Sequence, residues 1–121
     1  PGFFDYPTGL AVAEDGRILV TEGYNNRVQV FDSDGQHLAF FGEGELYFPI
    51  ALAEDHQGNI LVSDEYNYRV ALYGPDYTLR QSFDTASLGH PIDTPVGIAV
   101  SRSGAVYFIN RPGQVLVLVQ E

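Results

Sequence analysis

The sequence has no cysteine, methionine, tryptophan or lysine among its 121 residues. Without cysteine there is no disulfide, no thiol nucleophile and no thiolate-bound zinc, and the redox compartment stays open. Without even an initiating methionine, a processed N-terminus or a chain cut from something longer is expected. No charged and apolar leader is visible, and a removed one stays open. Without lysine, six arginines face sixteen acidic residues, and the formal charge is −10. That charge repels a phosphate backbone and an anionic lipid surface, so neither nucleic acid nor membrane is expected as a partner. It suits a cationic partner, calcium, or plain solubility. Long hydrophobic runs are lacking too. The longest, Val115-Leu116-Val117-Leu118-Val119, has strand length, far below the ~18 residues of a helical membrane span.

What the chain does have is a repeat. Pro7, Pro49 and Pro95 each stand nine residues before a glycine: Gly16, Gly58 and Gly104. After each glycine comes an apolar run: Ile18-Leu19-Val20, Ile60-Leu61-Val62 and Val106-Tyr107-Phe108. A polar loop then leads to Val28, Val70 or Val115. Within a unit the apolar pattern has period 2 or forms a short run, never period 3.6. The first unit predicts strands over 8–12, 17–21, 27–31 and 36–41, split by Gly, Asn and Asp clusters that suit tight turns. The second predicts 50–54, 59–63, 68–73 and 78–83. The third predicts 96–101, 105–109 and 114–119, with no fourth strand. The expected fold class is all-β: a β-propeller of four-stranded antiparallel blades, three per chain. The blades fall at about 7–42, about 49–84 and, incomplete, about 95–121. Small residues recur at Gly9, Ala51 and Gly97, and again at Ala11, Ala53 and Ala99, as crowding around a propeller axis requires.

These residues carry a resemblance. Pro7, Gly9, Leu10, Ala11, Val12, Gly16, Ile18, Val20, Glu22, Asn25, Asn26, Arg27, Val28, Val30, Phe31, Asp32, Gly35, Phe41 and Gly42 follow a pattern similar to the NHL repeat. The second copy keeps Asp64, Asn67, Arg69 and Val70 but has Tyr68 for the second asparagine and Asp84 for Gly42. The third departs further: Asn110 takes the acidic position and Gln114 the arginine position. The resemblance implies a six-bladed propeller and says little about function, because this scaffold hosts many roles.

Three blades leave two open apolar flanks. Two copies about a two-fold axis give six blades and cover both, so a homodimer completing one ring is expected. A piece of a longer propeller is the alternative. The last strand, 115–119, has a bare apolar edge that can pair with a partner or with Gly2-Phe3-Phe4.

In a four-stranded meander the turns after strands two and four share one face of the disc. That face carries residues 22–26, 64–68 and 110–113 and the two longest connections, 42–48 and 84–94. Long loops on a rigid scaffold are where binding concentrates. The candidate ligand-binding residues are Glu22, Tyr24, Asn25, Asp64, Glu65, Tyr66, Tyr68, His90, Asn110 and Arg111. Glu22, Asp64 and Asn110 share one repeat position, so their oxygens can converge on the axis and hold calcium. Alternatively, they accept loop N–H groups and pair with Arg27 and Arg69. Tyr24, Tyr66 and Tyr68 can form a stacking surface for sugar or peptide. Phe3, Phe4, Tyr47 and Phe48, near the blade-opening prolines, are expected in the core.

His37, His56 and His90 have no zinc-site spacing. No serine is matched by a His and Asp arrangement that spacing supports, and Gly42-Glu43-Gly44-Glu45 carries acids where phosphate needs donors. Two functions follow. The first is a non-catalytic binding module engaging a protein, peptide or glycan through an acidic, tyrosine-bearing face, with no cofactor. The second is a hydrolase, lactonase or lyase using an axial divalent ion, calcium being the candidate.

Overall fold

The structure is a computed structural model that describes residues 3–84, 88, 94–111 and 113–118. The first sheet holds β1 (Pro7–Val12), β2 (Ile18–Glu22), β3 (Arg27–Phe31) and β4 (His37–Phe41). The second holds β5 (Pro49–Glu54), β6 (Ile60–Asp64), β7 (Arg69–Tyr73) and β8 (Leu79–Phe83). The third holds β9 (Thr94–Val100), β10 (Val106–Arg111) and β11 (Gln114–Leu118). Each strand pairs antiparallel with its neighbour in sequence, so every sheet is a meander.

Local chemistry sets these limits. The turns at Gly16, Gly58 and Gly104 have φ of 92°, 81° and 91°, a region that side chains with a Cβ rarely enter. Each glycine amide closes its turn onto the carbonyl three residues back: Ala13, Asp55 and Ser101. The ladders shift register beside Pro7 and Pro49, where proline has no N–H to donate.

The core lies between sheets rather than inside one. Leu19, Val28, Val30 and Phe41 of the first sheet pack on Leu52, Ile60, Val62, Ala71 and Tyr73 of the second. Leu61, Val70, Leu72 and Phe83 turn the other way, onto Val106 and Phe108 of the third. Strand β6 is therefore buried on both faces, which is why Ile60-Leu61-Val62 is apolar without a break. Burial, with Glu45 beside it, pushes the Tyr73 phenol well above the usual tyrosine range. Its hydroxyl donates to Glu45 Oε1 at 3.0 Å.

The innermost strands lie side by side, β1 against β5 and β5 against β9. A Cβ at Gly9 would fall on the Ile50 carbonyl oxygen and 2.8 Å from Thr21 Oγ1. The small residues there answer backbone contact between blades. A hydroxyl fastens each seam. Thr21 Oγ1 donates to the Ile50 carbonyl at 3.0 Å, and Ser63 Oγ to the Val96 carbonyl at 2.7 Å. Thr8 adds a bond to the Pro49 carbonyl at 2.7 Å. The third sheet has Ile109 at the position of Thr21 and Ser63, where no hydroxyl is available.

One expectation is corrected. Phe3, Phe4 and Tyr47 are exposed, Phe3 by 88%, and Phe48 is half-buried. They sit on the disc face and on a sheet flank, outside the core. Of the two partners left open for β11, the described residues of the N-terminal segment do not pair with it within the chain. Phe4 meets Phe31 edge-on at 5.8 Å and the Phe3 carbonyl accepts Gln29 Nε2 at 3.1 Å, which places them on the first sheet.

Candidate functional site

Glu22 ends β2 with its side chain fully buried. Its carboxylate accepts Arg27 Nε at 2.6 Å, Asn25 Nδ2 at 2.9 Å, Gln29 Nε2 at 3.0 Å and the Asp5 amide at 3.2 Å. Burial raises the carboxyl, but the bonds from Arg27, Asn25, Gln29 and Asp5 outweigh it and hold the group below the usual glutamate range. Asp64 ends β6 in the same way. It accepts Arg69 Nε at 2.7 Å, Asn67 Nδ2 at 2.8 Å and the Tyr47 amide at 2.7 Å. In the third sheet Asn110 Oδ1 accepts the Thr94 amide at 3.2 Å.

One task recurs three times. A buried oxygen receives the amide of the segment that enters the innermost strand. In the first two sheets an arginine on the third strand neutralises a carboxylate. In the third, Gln114 replaces that arginine and the neutral Asn110 replaces the acid. A carboxylate buried without its guanidinium would cost several kcal/mol, so the two replacements belong together. Among the described residues no three His, Asp or Glu side chains are grouped to hold a metal ion.

Aromatic side chains gather on the same face. Tyr6 stacks on Tyr24 with centroids 4.7 Å apart, and Phe48 stacks on Tyr66 at 5.0 Å. Tyr24 and Phe48, 5.7 Å apart, join the two pairs, and Tyr47 meets Tyr66 edge-on at 5.1 Å. Tyr6 and Phe48 each precede a blade-opening proline with a positive φ, 58° and 57°. Such strain persists only where the surroundings impose it. Here the Tyr6 carbonyl accepts the Gly23 amide at 2.9 Å, and the Phe48 amide donates to Asn26 Oδ1 at 2.8 Å. A cavity of about 310 Å³ opens between the rings, lined by Gly23, Tyr24, Asn26, Tyr47, Phe48 and Tyr66.

The structure thus brings Tyr24 and Tyr66 together and adds Tyr6, Tyr47 and Phe48, which the sequence reading had not placed in the site. The available signal was an aromatic residue directly before Pro7 and Pro49. Tyr68 closes the Glu65–Asn67 turn through its amide and makes no ring contact with this group. Asn25 and Asn67 are held by the buried carboxylates, and Glu65 is half-buried beside Tyr66. Arg111 is exposed at the end of β10, and His90 lies outside the described residues.

The opposite disc face has a cavity of about 560 Å³ lined by Val12, Glu14, Glu54, Asp55 and His56. Two of its acids, Glu54 and Asp55, are committed locally. Glu54 accepts Arg17 Nη2 at 2.9 Å, and Asp55 Oδ1 accepts the Gln57 and Asn59 amides, both at 2.9 Å.

Comparison with known proteins agrees with this geometry. The NHL repeat family model matches residues 4–31. No curated protein matches the sequence. Virginiamycin B lyase from Staphylococcus aureus superposes with a TM-score of 0.68 at 15% identity, covering 94% of this chain and 41% of that one. A chain of a nidogen/laminin complex gives 0.77 at 20%, covering 95% and 48%. The WD40 β-propeller domain of Doa1 gives 0.74 at 18%, covering 93% and 36%. The chain thus spans less than half the length of each of these structures, and the likeness is one of fold. Its sheets are β-propeller blades, and residues 4–31 carry an NHL repeat.

Proposed function

We propose that the chain is a non-catalytic binding module of NHL type that engages a protein, peptide or glycan through its acidic, tyrosine-bearing loop face. The observation that carries this reading is the aromatic row. Tyr6, Tyr24 and Tyr66 are exposed on a rigid scaffold, ring stacked on ring, around an open cavity. Exposed rings fixed in place offer contact area at small entropic cost.

The module is completed as a six-bladed ring by a second copy. Leu10 is 67% exposed, whereas its repeat counterpart Leu52 is 5% exposed. Val115 is 68% exposed, whereas Val28 and Val70 are 0%. Both end flanks therefore carry side chains that the same repeat buries elsewhere. A two-fold pair covers both flanks at once.

An axial divalent ion that activates water is the competing reading. Its donors would be Glu22, Asp64 and Asn110. Each carboxylate already holds an arginine Nε, at 2.6 and 2.7 Å, so this set does not suit a resident cation.

A peptide and glycan array tests the proposal. The chain should retain a defined subset of probes, and the Tyr24→Ala/Tyr66→Ala double variant should lose them while its circular dichroism is unchanged. An array with no retained probe, or one that the double variant leaves intact, refutes it. A calcium-dependent rise in Tm abolished by Asp64→Ala would favour the metal reading instead.

A further inference from the structure

We propose that the cavity between Tyr24, Phe48 and Tyr66 seats the guanidinium of an arginine side chain presented by a partner peptide. This rests on the loop-face reading above and names its ligand class. Three observations carry it. First, four of the six residues lining the cavity, Tyr24, Tyr47, Phe48 and Tyr66, are aromatic. Asn26 is its one polar side chain apart from tyrosine hydroxyls, and Asn26 Oδ1 is taken by the Phe48 amide at 2.8 Å. A cation gains from such rings without needing a directed hydrogen bond.

Second, the charge around the rings is negative. Arg17, Arg27, Arg69 and Arg80 are in ion pairs with acids of their own chain. Asp5 and Glu65, directly before Tyr6 and Tyr66, form no ion pair among the described residues. With a formal charge of −10, the chain attracts a cationic ligand to this face.

Third, the chain already uses the contact internally. The Arg27 guanidinium lies 4.1 Å from the Phe40 ring centroid, and Arg17 lies 5.9 Å from that of Tyr77. Guanidinium is planar and weakly hydrated, so it stacks on such faces more readily than the ammonium of lysine.

The test is an NMR titration of the 121-residue chain with acetyl-Gly-Arg-Gly-amide. The neutral citrulline peptide, the lysine peptide and maltoheptaose serve as comparison probes. The arginine peptide should shift the Gly23, Tyr24 and Tyr66 amides. The citrulline peptide should bind about fivefold more weakly, and the lysine peptide should fall between. Added salt should weaken the arginine peptide selectively. Tyr24→Leu, which keeps an apolar side chain but removes the ring, should reduce binding about fivefold. Tyr66→Leu serves if the first variant fails to fold. Equal binding of the arginine and citrulline peptides, or undiminished binding to the leucine variants, overturns the proposal. If maltoheptaose or the citrulline peptide moves these amides and the arginine peptide does not, the loop-face reading stands and the arginine assignment falls. If no probe moves them, both fall.

Discussion

Ser63 Oγ reaches across the seam between the second and third sheets to donate to the Val96 carbonyl at 2.7 Å. The same hydroxyl accepts the Ala51 amide at 2.9 Å within its own sheet. Ser63 is fully buried, so it links two backbones where water does not enter. Thr21 makes the equivalent bond one seam earlier.

Ser63→Ala should therefore destabilise the chain by about 1–2 kcal/mol, because it leaves the half-buried Val96 carbonyl and Ala51 amide without this partner. Ser63→Thr, the residue used at the first seam, should recover most of the loss. Urea unfolding monitored by circular dichroism measures both. Equal stability of the alanine variant and the parent would remove the seam bond from the account.

The pair of Glu22 and Arg27 gives a pH dependence with a definite sign. The folded carboxyl titrates below the usual glutamate range, so its contribution is complete above about pH 4.3. That contribution is lost as pH falls through the lower folded value. Glu22→Gln should cost about 2 kcal/mol near neutral pH, because Arg27 loses its charged partner at 2.6 Å. The variant should also lose less stability than the parent between about pH 5 and pH 3. Urea midpoints across that range decide it, and a parallel acid response in both proteins counts against the pairing.

Gly9→Ala tests the approach of the innermost strands. The added methyl would meet the Ile50 carbonyl and Thr21 Oγ1, both on fixed elements. The expected cost is about 2 kcal/mol or more. Ala substitution at Gly35, where a Cβ meets nothing within 4 Å, is the comparison, although its φ of 84° carries its own strain. A smaller loss at Gly9 than at Gly35 would contradict the tight seam.

Much of the fold was legible because a propeller repeats its reasons. Each turn glycine, apolar run and opening proline recurs at fixed spacing, so strand limits could be read to within a residue or two. The three strands of the third sheet were legible for the same reason. The carboxylate positions were found as candidates, and their pairing with Arg27 and Arg69 followed from recurrence. The aromatic cradle was legible only in part: Tyr24 and Tyr66 were candidates, and Tyr6, Tyr47 and Phe48 were not. Phe48 and Tyr47, just before the blade-opening Pro49, read as core, yet a positive φ at Phe48 and a bond from its amide to Asn26 turn the ring onto the disc face. Ring placement of that kind depends on contacts between loops 22 residues apart, which periodicity does not encode.

The open flank of the third sheet makes a separate prediction. Val115→Asp should leave the secondary structure unchanged, because the side chain is already exposed, and should weaken self-association. Val28→Asp, at the buried counterpart, should instead unfold the chain. Circular dichroism with gel filtration separates the two. Unfolding by Val115→Asp would show that this flank is covered within a single chain.

Sedimentation equilibrium at micromolar concentration tests most directly whether these blades close as a ring of two chains. The expected species has twice the chain mass, and Val115→Asp converts it to single chains. A stable, well-behaved single chain of the parent sequence would contradict it.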